Sequence, residues 1–197
     1  MARILSKEVK NRIINNGEGR LYAVSDFADL NNDASVTRTL SRLENENFLI
    51  RLSQGLYLYP IRNQYGIHKP SLSTIAQTIA EKDQSQIIPS GLTALNALGL
   101  STQVPTNAIY LTNGSPRTIS VGNRKIIFKK SVPRNFAYQS NLFSLIVQAM
   151  REIGEQNITD EIVLKIKEIL SKEKNQEALE QDLLIAPQWI RRKLNSK

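Results

Sequence analysis

Arg38 and Arg42 stand four residues apart, one helical turn, with Ser35, Thr37 and Ser41 beside them. A guanidinium so presented can give two parallel hydrogen bonds to guanine O6 and N7, and the hydroxyls can bond phosphates or base edges. Downstream, Arg51 and Gln54 can reach the backbone flanking such a contact. A second concentration of cations comprises Arg117, Arg124, Lys125, Lys129, Lys130 and Arg134, in a stretch with no carboxylate side chain between Asp83 and Glu152. Residues 63–140 hold eight basic and two acidic side chains, against nine and seven in 1–62 and nine of each in 141–197, so the middle carries most of the net charge of +8. A local excess of this kind points to a polyanionic partner, where a uniform one would only favour solubility.

Bond-making chemistry is poorly supplied. With no cysteine there is no thiol nucleophile, disulfide or Cys-ligated metal, and the single histidine, His68, cannot provide the paired ligands of common zinc sites. Nucleases and nucleotidyltransferases hold Mg²⁺ on convergent carboxylates, which the middle stretch lacks. Asp26 and Asp29, three apart, are accounted for by capping and by the positive end of a helix. Ser90 lacks the Gly-x-Ser-x-Gly elbow and reads as a helix cap. No phosphate-binding Walker loop or dinucleotide glycine motif occurs, and Gly17-Glu18-Gly19 reads as a helix stop and turn. The expectation is no catalytic residue, no metal and no cofactor. No apolar run reaches the roughly 18 residues of a membrane span, and the first residues break off too soon for a signal peptide. A soluble, cytoplasmic protein without a membrane partner follows.

The elements that must position these residues can be read from periodicity and punctuation. Ser6 is placed to cap a first helix with Val9, Ile13 and Ile14 on its apolar face, ending at Asn16-Gly17. Leu21 to Val24 is extended, and Ser25 or Asp26 can cap a brief helix carrying Phe27, Ala28 and Leu30. Asn31-Asn32-Asp33 then caps a third helix with Val36, Leu40 and Leu43 on one face, which turns Ala34, Arg38, Ser41, Arg42 and Asn45 outward. Leu49–Leu52 and Leu56–Tyr59 form a hairpin about Ser53-Gln54-Gly55. Pro60 to Pro70 reads as a connector. Beyond it, a helix over 71–81 carries Leu72, Ile75, Ala76 and Ile79, and Pro89-Ser90-Gly91 precedes a helical stretch stopped by Gly99. Strands are expected over 108–112, 117–121 and 124–130, the last two joined by Gly122-Asn123. In the last of these, alternation puts Lys125, Ile127 and Lys129 on one face and Ile126 and Phe128 on the other. The remainder is helical, each helix with one apolar face: Leu142 to Ile153 stopped by Gly154, a helix behind Thr159, another through Ala178 to Leu184, and a last one opened by Pro187 and carrying Trp189.

Helix, short strand, helix, helix and hairpin is the order of a winged helix-turn-helix, whose third helix enters the major groove. The fold class is therefore α+β, an N-terminal winged helix-turn-helix over 1–60, a linker over 61–70, a basic α/β middle domain over 71–140 and a helical C-terminal part over 141–197 packed on it. Asp26-Phe27, Val36, Leu40-Ser41-Arg42-Leu43, Ile50-Arg51 and Gly55 to Pro60 resemble the winged-helix domain of AbiEi-type antitoxins. Pro89-Ser90-Gly91, Asn96, the string Leu98 to Pro105, Tyr110 to Gly114 and Arg117 resemble bacterial AbiEi-like antitoxins or transcriptional regulators, over nearly the whole chain. The resemblance implies an α/β antitoxin-type second domain, no enzymatic activity, repression of the protein's own promoter through repeats in double-stranded DNA, and a nucleotidyltransferase toxin encoded nearby, with or without a direct complex. Its DNA-contact pattern covers Ser41, Arg42 and Arg51; Arg38 and Gln54 rest on geometry alone. Two other readings compete. One is an antitoxin that masks a protein partner with its helical tail, which an exposed Trp189 or apolar stripe would favour. The other is an RNA-binding factor using the basic middle, weakened by the few rings there on which bases could stack.

Overall fold

The computed structural model describes residues 2–195 and shows an α+β chain of helices and small sheets. It divides into two compact units, one running to Thr78 and taking in Ile119–Asn123, the other made of Ile79–Thr118 and Arg124 onward. The expected middle and helical parts thus fall largely in one unit; of the helical part, residues 196 and 197 lie outside the described residues.

In the first unit, α1 spans Ala2–Asn16 and therefore starts before Ser6, which is buried inside the helix and is not its cap. Val9 and Ile13 are fully buried, whereas Ile14 faces solvent, because 100° per residue turns it off the stripe that the other two define. Gly17, at φ 85°, takes the left-handed stop. After β1 (Leu21–Tyr22) comes a 3₁₀ stretch, Val24–Leu30. Its cap is Ala23, neither Ser25 nor Asp26: Asp26 sits in the first turn and its carboxylate accepts from the Ala23 N–H at 2.7 Å. Asn31 then adopts a left-handed conformation, which Asn tolerates, and the Asn32 side chain caps α2 (Asp33–Asn45) by accepting from Ser35 N at 3.1 Å. Val36, Leu40 and Leu43 are fully buried against Val9, Ile13, Phe27, Leu49 and Tyr57 in one apolar cluster. Strands β2 (Ile50–Ser53) and β3 (Leu56–Leu58) make the hairpin, and β1 pairs with the other edge of β3, giving an antiparallel sheet ordered β1-β3-β2. The ladder is irregular between Arg51 and Ser53.

The expected linker is instead a second hairpin, β4 (Ile61–Asn63) with β5 (Gly66–His68), registered Ile61 to His68 and Asn63 to Gly66. Its prolines lie outside the paired residues, so they bound the hairpin without breaking it, and Gly66 supplies a positive φ at the turn. His68 is an exposed strand residue there.

Helix α3 (Leu72–Lys82) buries the expected stripe of Leu72, Ile75, Ala76 and Ile79. Next in the chain come a strand that the sequence did not announce, β6 (Ile87–Pro89), then α4 (Leu92–Ala97), β7 (Asn107–Thr112), β8 (Arg117–Val121) and β9 (Arg124–Lys130), all of the second unit save Ile119–Val121 of β8. The cap of α4 is Gly91, at φ 61°, ψ −144°, a conformation open to glycine; Ser90 makes no capping bond. The sheet order is β6-β7-β9-β8, so β9 lies between β7 and its own hairpin partner and runs parallel to β7. Ala108, Tyr110, Thr112, Ile126 and Phe128 share its buried face. Asn113-Gly114 closes the end of β7: a side chain at Gly114 would put its Cβ 2.8 Å from the Ser85 Cβ.

Four helices complete this unit. Helix α5 (Asn141–Ile153) is capped by Ser140 and stopped at Gly154. Helix α6 (Asp160–Leu170) is capped by Thr159, α7 (Gln176–Ile185) by Asn175, and α8 (Gln188–Asn195) follows Pro187. Contrary to a single apolar face, α5 is buried almost all round, including Ser144 and Gln148. Phe143, Ile146, Val147 and Met150 join Ile166, Leu179 and Ile190 in one core, with Leu98, Leu100 and a half-buried Trp189 against it. Asp182, 1% exposed, accepts from the N–H groups of Gln139 and Ser140, both at 2.8 Å, and so fastens the start of α5 to α7.

Candidate functional site

The two groups of cations singled out by sequence lie in different units, and each is sorted by the partners it finds. On α2, Arg38 is exposed and has no partner among the described residues. Arg42, one turn on, is also exposed but engaged: its guanidinium bonds the Ser6 hydroxyl and lies 3.4 Å from a Glu46 carboxylate oxygen. Thr37 donates back to the Asp33 carbonyl at 2.8 Å, so its proton is spent within the helix. Ser41 does not point outward as expected; it is half-buried, 3.3 Å from the Tyr57 hydroxyl, because Tyr57 on β3 packs beneath α2. Ser35 is half-buried at the start of the helix. On the hairpin, Gln54 is exposed at the turn, where Gly55 supplies φ 74°, and Arg51 folds along its own strand toward the Ser53 carbonyl at 3.4 Å.

A clasp joins α1 to the 3₁₀ stretch, its Glu8–Arg12 half at helical i,i+4 spacing and its Asp29 half 17 residues away. Arg12 reaches both Asp29 oxygens at 2.8 and 2.6 Å and Glu8 at 2.7 Å. Hydrogen bonding to Arg12 holds the Asp29 carboxyl below its usual range, and the two carboxylates hold the Arg12 guanidinium still further above its own. Asp29 is thus an ion-pair partner, not a cap. Lys10 lies 4.8 Å above the Phe48 ring, which stacks on Tyr59 at 4.7 Å.

The second group is less free than its composition suggests. Arg117 pairs with Asp83 and lies over the Phe128 ring at 5.8 Å. Arg124 donates to the carbonyls of Thr106 and Pro105 at 3.4 and 3.2 Å, Arg134 to that of Ile185 at 2.9 Å, and Lys130 to those of Asn113 and Gly114. Only Lys125 and Lys129 remain exposed and unpaired among the described residues of the group, on one face of β9 with half-buried Ile127, as alternation requires. In the parallel register, Asn107, Ile109 and Leu111 of β7 lie beside them.

Among the described residues, no three His, Asp or Glu side chains gather where they could hold a metal ion, and no helix is long and apolar enough to cross a membrane. Asp26 is taken up by the backbone of Ala23 and Asp29 by Arg12.

The chain belongs to the DUF6088 family, a family of unknown function, whose model matches residues 8–178. No curated protein matches it.

Proposed function

We propose that this member of the DUF6088 family is a sequence-specific double-stranded DNA-binding protein, an antitoxin-type repressor of its own promoter, with the first unit acting as a winged helix. The observation that carries the reading is Arg38: a guanidinium without a partner among the described residues, on the outward face of a capped helix whose opposite face is buried, followed directly by a hairpin with Gln54 at its tip. In a winged helix those are the groove-reading helix and the backbone-touching wing. Arg42 is the second reader, once it exchanges Glu46 and Ser6 for a base edge. Ser35 and Arg51 supply phosphate contacts, Thr37 being spent on the Asp33 carbonyl, and Ser41 supports the helix through Tyr57. Lys125 and Lys129 add a phosphate-binding surface in the second unit, the other four cations of that stretch being tied to protein partners.

Trp189 is half-buried against the helical core, whereas Leu184 and Ile185 on α7 are exposed, so a protein-masking tail would centre on those two residues and not on the ring. The resemblance to AbiEi-type antitoxins supplies the operon context, including a nucleotidyltransferase toxin encoded nearby. The decisive experiment is footprinting of the full chain on the DNA upstream of its own coding sequence, with a promoter-reporter assay alongside. A protected repeat and repression that Arg38→Ala abolishes are expected. Equal affinity for promoter and random duplex would refute the assignment.

A further inference from the structure

We propose that the second unit carries a binding cleft for a nucleotide, one that nothing in the DNA-contact assignment uses. The cleft, about 390 Å³, is lined by Gln86, Asn113, Lys130, Ser131, Pro133 and Phe136, at the end of the sheet where the parallel strands β7 and β9 both finish. That end of parallel strands is where open α/β sheets bind ligands, and the volume falls in the range of small-molecule sites.

Its polar groups resolve into donors. The Asn113 Oδ1 accepts from the Gln86 backbone N–H at 2.8 Å, and an N–H can only donate, so the orientation of the Asn113 amide is settled. Its Nδ2 must then donate to the Gln86 side-chain oxygen at 3.1 Å, which leaves the Gln86 NH₂ without a described partner. The same logic runs through Asn135. Arg151 donates to its Oδ1 at 2.8 Å, so its Nδ2 donates to Ser131 Oγ at 2.7 Å, and the Ser131 hydroxyl proton is free to go elsewhere. Lys130 gives two of its three N–H groups to the Asn113 and Gly114 carbonyls and keeps one. The cleft therefore offers an amide, a hydroxyl and an ammonium, all with unspent hydrogens and each held in place by a second residue, and no carboxylate lines it. Such a set is complementary to a phosphate, which only accepts. Pro133 and the half-buried Phe136 form the apolar wall beside it, against which a base can lie. Anion and planar body together specify a nucleoside phosphate, whether free or as the terminal nucleotide of a strand.

Equilibrium dialysis of the full chain with AMP, adenosine or inorganic phosphate, in the absence of duplex DNA, tests this. AMP should bind saturably at one site per chain, with adenosine and phosphate each weaker by about tenfold or more, the loss of one charged or one stacking set. Ser131→Ala and Gln86→Met should each weaken AMP severalfold while melting as wild type does, and Phe136→Leu should weaken AMP but not phosphate. A 5′-phosphorylated oligonucleotide that displaces AMP more effectively than AMP itself identifies a strand end as the source, and a weaker one identifies the free nucleotide. No AMP binding below about 1 mM, the weak end of specific recognition, overturns the proposal, as does adenosine binding as well as AMP or indifference to both polar variants. Arg38→Ala leaves this binding unchanged, so its failure and that of the DNA assignment are read separately.

Discussion

Replacing Arg38 with Ala removes the one guanidinium of α2 that no described protein group holds. Nothing in the fold is lost with it, so the variant should melt within about 0.5 kcal/mol of wild type, the usual range for exposed positions. A bidentate base contact is worth about 1–3 kcal/mol, which converts to a loss of roughly 5- to 150-fold in operator affinity. Arg42 comes out differently. To reach a base it must leave Glu46, an exposed pair worth about 0.2–1 kcal/mol, and the Ser6 hydroxyl, worth about 0.5–1.5 kcal/mol. Its net contribution is correspondingly smaller, and Arg42→Ala should cost less than about tenfold in affinity while lowering stability through the lost tie to α1. Fluorescence anisotropy on operator and shuffled duplexes at one fixed salt concentration measures both. The reasoning is refuted if Arg38→Ala keeps wild-type operator affinity, if it loses equally on both duplexes, or if Arg42→Ala costs more than Arg38→Ala.

Four further outcomes follow from the geometry. Lys125→Ala with Lys129→Ala should weaken operator and random DNA alike and lower the slope of log K against log salt by roughly 1 to 2, about one per lost phosphate contact; an unchanged slope would confine DNA contacts to the first unit. Asp182→Ala strips the acceptor from two N–H groups at the start of α5 and should destabilise by about 2–5 kcal/mol in denaturant titration, with a loss under 1 kcal/mol contradicting the assigned role. Gly114→Ala forces a Cβ against Ser85 and should cost about 1–3 kcal/mol, so a variant melting as wild type would show that the loop yields freely. Hydrogen bonds to Ser140 and to Asn175 N hold the Glu173 carboxyl below its ordinary 4.5, and Arg12 holds that of Asp29 below 3.8. Both folded values are depressed, so their stabilisation is fully present above about pH 4.5 and is lost as pH falls through the folded values; a melting temperature independent of pH below 4.5 would refute those contacts.

Short-range signals were legible and long-range ones were not. The Asn32 and Thr159 caps, the Gly154 stop, the Gly55 and Gly122 turns and the stripe Val36, Leu40, Leu43 depend on neighbours within a few residues, and each lies where the sequence reading put it. The misreadings have local causes too. Ser6 carries a capping side chain but sits inside a helix that begins earlier, and Pro60 and Pro70 mask a hairpin that their own positions permit. Strand β6 is three residues long, too short for alternation to register. Helix α5 hides its centrality because Ser144 and Gln148 break the apolar pattern while being buried.

The candidate sites depended on the long-range part. Six clustered cations looked equivalent in sequence, yet the insertion of β9 between β7 and β8 carries Lys130 to the Asn113-Gly114 loop, while Arg117 reaches back 34 residues to Asp83. Charge density alone therefore does not tell these cations apart, and subtraction of the groups with protein partners leaves Lys125 and Lys129 wholly unpaired among the described residues and Lys130 with one N–H. Subtraction worked on the other groups gives the opposite result. Gln86 and Ser131 carry no charge and stood out in no motif, but fixing the amide orientations of Asn113 and Asn135 leaves their hydrogens unspent beside Lys130. What a side chain can offer a ligand is its inventory less what the fold consumes, and only the second quantity requires the structure. By that measure Arg38, Lys125, Lys129 and the Gln86–Ser131 cleft all keep hydrogens to give a ligand.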